Sequence, residues 1–443
     1  MTQTHLGDGN GQDAGHGPSP IGRVQFGAFL APHHPVGEHP TLQIQRDLDF
    51  AAHLDRLGFE EFWCGEHHSS GWETIASPEM FLAAAGQRTS TIRLGTGVVS
   101  LPYHHPFNVA QRIVQLDHMT RGRAIFGTGP GALPSDARTL GIDPLLQRDR
   151  QDEAMGVILR LLRGEPRFSH ESDWFTLNDA EMQLLPLQEQ IEVATASSIS
   201  PSGMQLAGKY GCGVLSIAST STDGIQALPT QWGFAEEAAA AHGQTVDRRK
   251  WRVLIAFHLA ESREQARAEA VHGLHRWHNE YNVWTLGRPG AQHVADPWEL
   301  LDQVTATGAS GAGAAVVGTP DELVTTIRRL QEITGGFGVV LGFAHDWANR
   351  EATLRSWELL ARYVVPEING YTRGLWNSMQ YLHDNQSELM AGAGAAVMQK
   401  ILAHEGAAKA MATTMQQMAS QAEAANERAS TFRPGGGLPT DDS

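Results

Sequence analysis

Short apolar runs alternate along the chain with segments of helical period. The runs Val24–Phe29, Glu61–Gly65, Ile92–Val99, Ala124–Gly127, Ile191–Ala194, Gly213–Ile217, Arg252–Leu259 and Gly338–Phe343 read as strands. They are continuous rather than alternating, as expected when both faces of a parallel sheet are covered. After the first run, Leu42, Leu48, Ala51, Ala52 and Leu54 share one face of a helix that Gly58 closes. Further helices are expected from about Ser77 to Gly86 and over Phe107–Met119, Leu145–Leu162, Ser202–Lys209 and Gly224–Ala241. The last unit has the clearest start. Thr319-Pro320-Asp321-Glu322 offers a capping Thr, Pro at the first helical position and a Glu that reaches back. Leu323, Ile327 and Leu330 face inward there, and Gly335-Gly336 stops the helix. Eight strands with helices between them predict an α/β fold, a (β/α)8 TIM barrel; an open doubly wound sheet is the alternative.

Two stretches exceed the minimal repeat, roughly Arg167–Gln188 and Trp277–Ala315, and long insertions on a barrel usually shape the active site. Residues 1–20 are Gly-, His- and polar-rich and are expected to be disordered, leaving 21–366 for the barrel. Past Pro366 the composition shifts. Met379, Met390, Met398, Met411, Met415 and Met418 fall in this part, the last three at helical spacing. A helical extension over 367–430 follows, with a disordered end at 431–443. Its stripe is expected to dock on its own barrel or on a twin subunit, in a homo-oligomer, with a heterologous partner as the alternative.

Charge and cysteine content narrow the function. With 33 Lys and Arg against 49 Asp and Glu, the net charge is 33 − 49 = −16, which argues against a nucleic-acid surface. No run of about 18 apolar residues is present to form a membrane span, and no secretory signal is visible in the first twenty residues. Cys64 and Cys212, each in a strand-like run, exclude a disulfide framework and favour a cytoplasmic address.

Barrel enzymes work at the C-terminal ends of their strands. Three histidine pairs fall there: His33-His34, His67-His68 and His104-His105. A metal site is set aside, because strands four to six end in Gly127-Thr128-Gly129, Thr195-Ala196-Ser197 and Ile217-Ala218-Ser219, small neutral residues that are poor ligands. Gly127-Thr128-Gly129-Pro130-Gly131 mimics a dinucleotide loop without its sixth-position glycine; it reads as a tight turn or as an open wall for a flat ring. Ser197-Ser198-Ile199-Ser200-Pro201-Ser202-Gly203 ends strand five and opens a helix. Hydroxyls and free N–H groups there suit a phosphate, and an ordinary capped helix is the other reading.

The stretch Trp63-Cys64-Gly65-Glu66-His67-His68 makes the reading specific. With Leu94-Gly95-Thr96-Gly97-Val98-Val99-Ser100-Leu101-Pro102, His105-Pro106, Leu116-Asp117, Met119, Gly122-Arg123 and Phe126-Gly127, it closely resembles the bacterial-luciferase-like flavin monooxygenase family. Ser200-Pro201-Ser202-Gly203 and Gly342-Phe343-Ala344-His345-Asp346-Trp347 are similar to the limonene monooxygenase-like subgroup.

The resemblance, which covers roughly 23–366, implies a (β/α)8 barrel that receives reduced FMN from a separate flavin reductase. With O2 it would place one oxygen atom in a small apolar substrate such as a terpene, alkene, ketone or aldehyde. It implies His67 as the active-site histidine, a ring able to exchange protons near neutral pH. It also implies a cis peptide at Gly97-Val98 beneath the flavin and phosphate contacts from Ser200, Ser202 and Gly203, with Ser197 at the strand end beside them. Pro130 stands where the family's luciferase has a phosphate-contacting arginine, so an arginine from elsewhere is expected, with Arg288 the candidate. Trp277, Tyr281 and Trp347 are the candidate substrate-facing aromatics, with core packing as the alternative. Rival functions are a deazaflavin-dependent oxidoreductase of the same superfamily and a noncatalytic flavin-binding relative.

Overall fold

The computed structural model describes residues 21–217, 221–307, 310–404 and 406–407. The chain divides into two compact units, one spanning 18–370 and the other 371–443 together with 1–17. The larger unit is a closed barrel of eight parallel strands: β1 Gln25–Leu30, β2 Glu61–Cys64, β3 Arg93–Thr96, β4 Ala124–Gly129, β5 Glu192–Ser197, β6 Gly213–Ser216, β7 Trp251–Leu259 and β8 Val339–Ala344. Each pairs with its successor, and β8 closes on β1 from Gln25↔Val339 to Leu30↔Ala344. Closure rules out the open-sheet alternative.

Side chains alternate between the barrel interior and the helical layer. Phe26, Ala28 and Leu30 of β1 pack outward with Leu48, Ala51 and Leu54 of helix α1, Pro40–Leu57. Phe29 and Ala31 instead share the inner cluster with Trp63, Ile125, Leu254 and Leu341. Trp63 is wholly buried, and the glycines beside it make room for its ring. A Cβ on Gly95 would lie 2.5 Å from Trp63 Cδ2, and one on Gly127 would lie 2.7 Å from Cζ3 and 1.9 Å from the Thr96 carbonyl. The N-terminal end of the barrel holds a buried ion cluster. Arg252 donates to both Glu61 oxygens (2.8 and 2.7 Å) and to Glu192 (2.6 Å), and Arg93 also pairs with Glu192 (2.7 Å).

The helix expected at Thr319 forms as α8, Pro320–Thr334, with a reciprocal Thr319/Glu322 capping box and Gly335 at φ 76° closing it. The other helices that frame the site are α2 Pro78–Gly86, α3 Pro106–Met119, α4 Gln147–Leu162, α5 Ser202–Tyr210, α6 Thr222–Ala241 and α7 Arg263–Arg276.

Several elements differ from the sequence reading. The run Ile92–Val99 is not one strand: it breaks at a cis Gly97–Val98 peptide, and Val99–Ser100 resumes pairing with the end of β4. Gly127, Thr128 and Gly129 are strand residues of β4, not a turn. Nor do they leave an open wall, since a Cβ on Gly129 would fall 2.5 Å from Val98 Cγ2. The first insertion contains an antiparallel hairpin, Phe168–Glu171 with Thr176–Ala180. The second begins as a π-helical continuation of α7, Trp277–Thr285, and carries a helix at Pro297–Thr305. It ends in a further strand, Ala315–Gly318, paired with the outer half of β7 from Ala256↔Ala315 to Leu259↔Gly318. Gly/Ala-rich sequence masked that strand.

In the smaller unit, helices Arg373–Asp384 and Gln386–Leu402 are described, and none of their residues is buried. Residues 1–20, the stripe Met411, Met415 and Met418, and 431–443 lie outside the described residues. Among the described residues, no helix is long and apolar enough to cross a membrane.

Candidate active site

The loop after β2 carries His67 into a hydrogen-bonded set built from three distant parts of the chain. His67 Nε2 lies 3.1 Å from Glu73 Oε1, and Nδ1 lies 3.3 Å from Asp136 Oδ2. The two carboxylates are buried, and an ionised carboxylate only accepts. The two flanking carboxylates therefore favour the protonated ring. Burial opposes that charge, but the hydrogen bond to Asp136 and the charges of Glu73, Asp136 and Glu66 raise the pKa above the ordinary imidazole value. The neutral-pH titration expected of His67 is thus displaced upward.

Glu73 is the hub. It accepts from His33 Nε2 (2.9 Å) and from the Tyr281 hydroxyl (2.7 Å) as well as facing His67. Burial works against its ionised form, yet His33, His67 and Tyr281 together hold its pKa down to about 2. Asp136, from the short helix Pro134–Thr139, also accepts from the His68 N–H (3.1 Å) and from the Ser69 hydroxyl. Glu66 is a second, structural hub: it takes His68 Nε2 (2.8 Å), His104 Nε2 (2.7 Å) and the Ser100 N–H (2.7 Å), tying the β2 end to the segment after β3. Across the three histidine pairs, His33 and His67 share Glu73, and His68 and His104 share Glu66.

Polar donors gather at the end of β5. The Ser200 and Ser202 hydroxyl oxygens are 2.9 Å apart, and Arg148 Nε donates to Ser202 Oγ at 3.3 Å. Helix α5 opens there with no capping side chain among the described residues. A Cβ on Gly203 would lie 2.2 Å from the Ala196 carbonyl, so glycine lets the helix start approach the strand. Ser197 does not join this set. It is buried, with Oγ 3.4 Å from Gln231 Oε1 of α6, and Gln231 also donates to the Ile199 carbonyl (3.0 Å) and anchors the loop from behind. Arg288 is elsewhere too, its guanidinium 5.9 Å from the Tyr281 ring centre. The arginine beside the serines is Arg148, one of two in the run Arg148-Asp149-Arg150.

The expected aromatics do come together. Trp277 packs against Tyr281 (6.4 Å between ring centres), Phe343 (6.0 Å) and Trp347 (5.8 Å), and His33 sits 4.5 Å from Tyr281. His345 stacks on Trp347 at 3.7 Å and donates from Nε2 to the Phe257 carbonyl. A cavity of about 490 Å³ opens on the outer flank of β1 and β8, lined by Leu30, His34, Arg46, Asp346 and others; His33 and His345 border it, whereas His67, Arg148 and Ser202 do not. His67 and the serines lie apart from this cavity, at the strand ends where barrel enzymes carry their sites.

Sequence reasoning did not single out Glu73, Asp136 or Arg148. The first two pair with residues 208 and 69 positions away (Tyr281 and His67), and no periodicity marks such contacts.

A closed parallel barrel with a carboxylate-paired histidine, a serine–arginine cluster and an aromatic cluster after its strands has the organisation of a barrel enzyme. The profile of the family described as luciferase-like monooxygenase matches residues 24–335, and the chain belongs to that family. It is 52% identical over 350 residues to limonene 1,2-monooxygenase of Rhodococcus erythropolis, covering 79% of this chain and 88% of that one. It is 47% identical over 375 residues to 4-hydroxyprotoasukamycin monooxygenase of Streptomyces nodosus subsp. asukaensis, covering 84% and 99%. Among solved structures it is similar to the oxygenating constituent of 3,6-diketocamphane monooxygenase of Pseudomonas putida, a type II Baeyer-Villiger monooxygenase in complex with FMN. The TM-score is 0.65 at 25% identity, covering 78% of this chain and 98% of that one.

Proposed function

We propose that this monooxygenase is the oxygenase component of a two-component system, taking reduced FMN from a separate reductase and placing one atom of O2 in a small, largely apolar substrate. The observation that carries the flavin reading is the donor set at the β5 end. Arg148, Ser200, Ser202 and the uncapped start of α5 offer a cation, hydroxyls and N–H groups to one dianion, which is what a flavin phosphate requires. Gly203 lets the start of α5 sit close against the end of β5, beside the serines. When bound, reduced FMN supplies the electrons that activate O2.

The chain's own residues supply the surroundings. His67 holds protons on Nδ1 and Nε2 beside Asp136 and Glu73, placing a fixed positive charge and a proton donor at the end of β2. Trp277, Tyr281, Phe343 and Trp347 form an apolar wall that excludes water and holds the substrate. An exposed anion seat on a mobile-cofactor enzyme suits a flavin that arrives and leaves with each turnover.

The test uses the full-length protein loaded anaerobically with reduced FMN and mixed with isotopically labelled O2 and a panel of terpenes, ketones and aldehydes. One labelled oxygen atom is expected in a product, with loss of at least tenfold in yield for His67→Ala. Transfer of hydride to or from a deazaflavin coenzyme without O2 uptake would overturn the reading, as would oxidation of the flavin with no labelled product from any substrate.

A further inference from the structure

The cavity of about 490 Å³ on the outer flank of β1 and β8 takes no part in the chemistry described above. Its apolar lining is Leu30, Phe50, Ala344 and Leu354. Its charged lining comes from Arg46 and Asp47 of α1, Arg276 at the end of α7, and Arg350 at the start of the helix Arg350–Leu359. His34, Glu38 and Asp346 complete it. His34 Nε2 lies 2.8 Å from Asp47 and Nδ1 lies 2.7 Å from Asp346. Burial opposes a charged ring there, but the bonds to Asp346 and Asp47 raise its pKa to about 9. Four cationic groups therefore border the cavity with three carboxylates, in a chain whose net charge is −16. The crowding is greatest at Asp346. Its Oδ2 takes both His34 Nδ1 and Arg46 Nη2, each at 2.7 Å, and those two nitrogens are 2.9 Å apart. One oxygen thus holds two cations that repel each other. Arg276 and Arg350 find carboxylates only outside the cavity lining, in exposed Glu280 (2.9 Å) and Asp49 (3.4 Å), pairings of a kind that contribute little. Each of the three arginines is held through one or two of its three nitrogens among the described residues, so donors remain for a further anion.

We propose that this cavity is a binding site for a small organic monoanion, a carboxylate on an apolar body of about eight carbons. The body packs on Leu30, Phe50 and Leu354, and the carboxylate meets the arginines. It brings Arg46 and His34 the counter-charge that Asp346 now divides between them. An alcohol of the same skeleton keeps the apolar burial and loses that charge, and an amine adds a fifth cation. The room is adequate, since sites for small ligands span about 300–1,000 Å³. Neither His67 nor Arg148 and Ser202 border the cavity, so the site is separate from the proposed flavin position and does not rest on the monooxygenase reading.

The test is calorimetric titration of the full-length protein with octanoate, octanol, octylamine and inorganic phosphate, with and without oxidised FMN. Octanoate is expected to bind at least tenfold tighter than octanol, with no saturable binding of octylamine or phosphate over the same range. Arg276→Gln combined with Arg350→Gln should weaken octanoate about fivefold or more and leave octanol and FMN unchanged. The wild-type comparison decides the charge class without any variant. No octanoate binding, octanol, octylamine or phosphate binding as tightly as octanoate, or octanoate affinity unchanged in the double variant would each overturn the proposal. So would displacement of FMN by octanoate, which would put the anion at the β5 end instead. The measurement contains no turnover step. Octanoate binding without labelled product would leave this site standing and remove the monooxygenase mechanism, and labelled product without octanoate binding would do the reverse.

Discussion

His34 offers a quantitative test of the electrostatics at the β1 end. Its Nε2 lies 2.8 Å from Asp47 and its Nδ1 2.7 Å from Asp346, which Arg46 also contacts at 2.7 Å. Burial disfavours the charged ring, but the bonds to Asp346 and Asp47 outweigh it and raise the pKa from 6.5 to about 9. The native state therefore binds this proton more tightly than the unfolded chain does. The resulting stability is fully present below pH 6.5 and is lost as the pH rises through about 9. At about 1.4 kcal/mol per pH unit the contribution is roughly 3 kcal/mol. A barrel of about 350 residues, at about 2.1 cal/mol/K each, unfolds with an entropy near 0.7 kcal/mol/K, so 3 kcal/mol corresponds to about 4 °C in Tm. Thermal melts of wild type and His34→Gln between pH 6 and 9.5 isolate the effect, because every other titrating group is common to both. The wild-type advantage should shrink by about 4 °C across that window. An advantage that stays constant with pH would show that His34 is held neutral and that its two carboxylates do not act on it as charges.

Arg148→Ala should weaken FMN about 5- to 30-fold while leaving riboflavin affinity unchanged, since only FMN has the phosphate; the lower part of the range for charged hydrogen bonds is used because Arg148 is exposed. Fluorescence titration with both flavins measures this, and equal losses for the two would refute the assignment. Glu61→Gln leaves the buried Arg252 with Glu192 as its remaining carboxylate and should destabilise the fold by about 3–5 kcal/mol, whereas Arg252→Met combined with Glu61→Gln should recover much of the loss in denaturant unfolding. Glu73→Gln removes one of the charges that favour protonated His67, so the His67 pKa followed by nitrogen NMR should fall; an unchanged value would mean that Asp136 alone sustains the cation.

Most of the barrel was legible because its signals are local. Buried parallel strands leave continuous apolar runs, and the Thr319 capping box and the Gly335 stop mark their helix without help from the rest of the chain. The strand Ala315–Gly318 escaped because Gly and Ala before it blur an apolar run of four residues. At the site, the sequence pointed to His67 through its neighbours, and to Ser200, Ser202 and Gly203 through a serine-rich helix start. Ser197 shares that motif, yet strand alternation turns it outward onto Gln231. Glu73 and Asp136 were invisible because a carboxylate in a loop looks alike whether solvated or clamped on an imidazole. Arg148 was hidden among exposed arginines and is distinguished only by the fold bringing α4 beside α5.

The fit between Trp63 and its glycine neighbours restricts the order in which this barrel can change over evolutionary time. At Gly95 the three nearest obstacles to a methyl group are all atoms of the indole, whereas at Gly127 a backbone oxygen also blocks the way. A lineage that repacks the interior cannot enlarge either glycine first. It must shrink the indole, pass through an ancestor with a hole in its centre at about 3–5 kcal/mol, and only then fill the hole from position 95. Descendants that made that exchange could not easily return, so the pair acts as a ratchet dividing one branch of barrels from another.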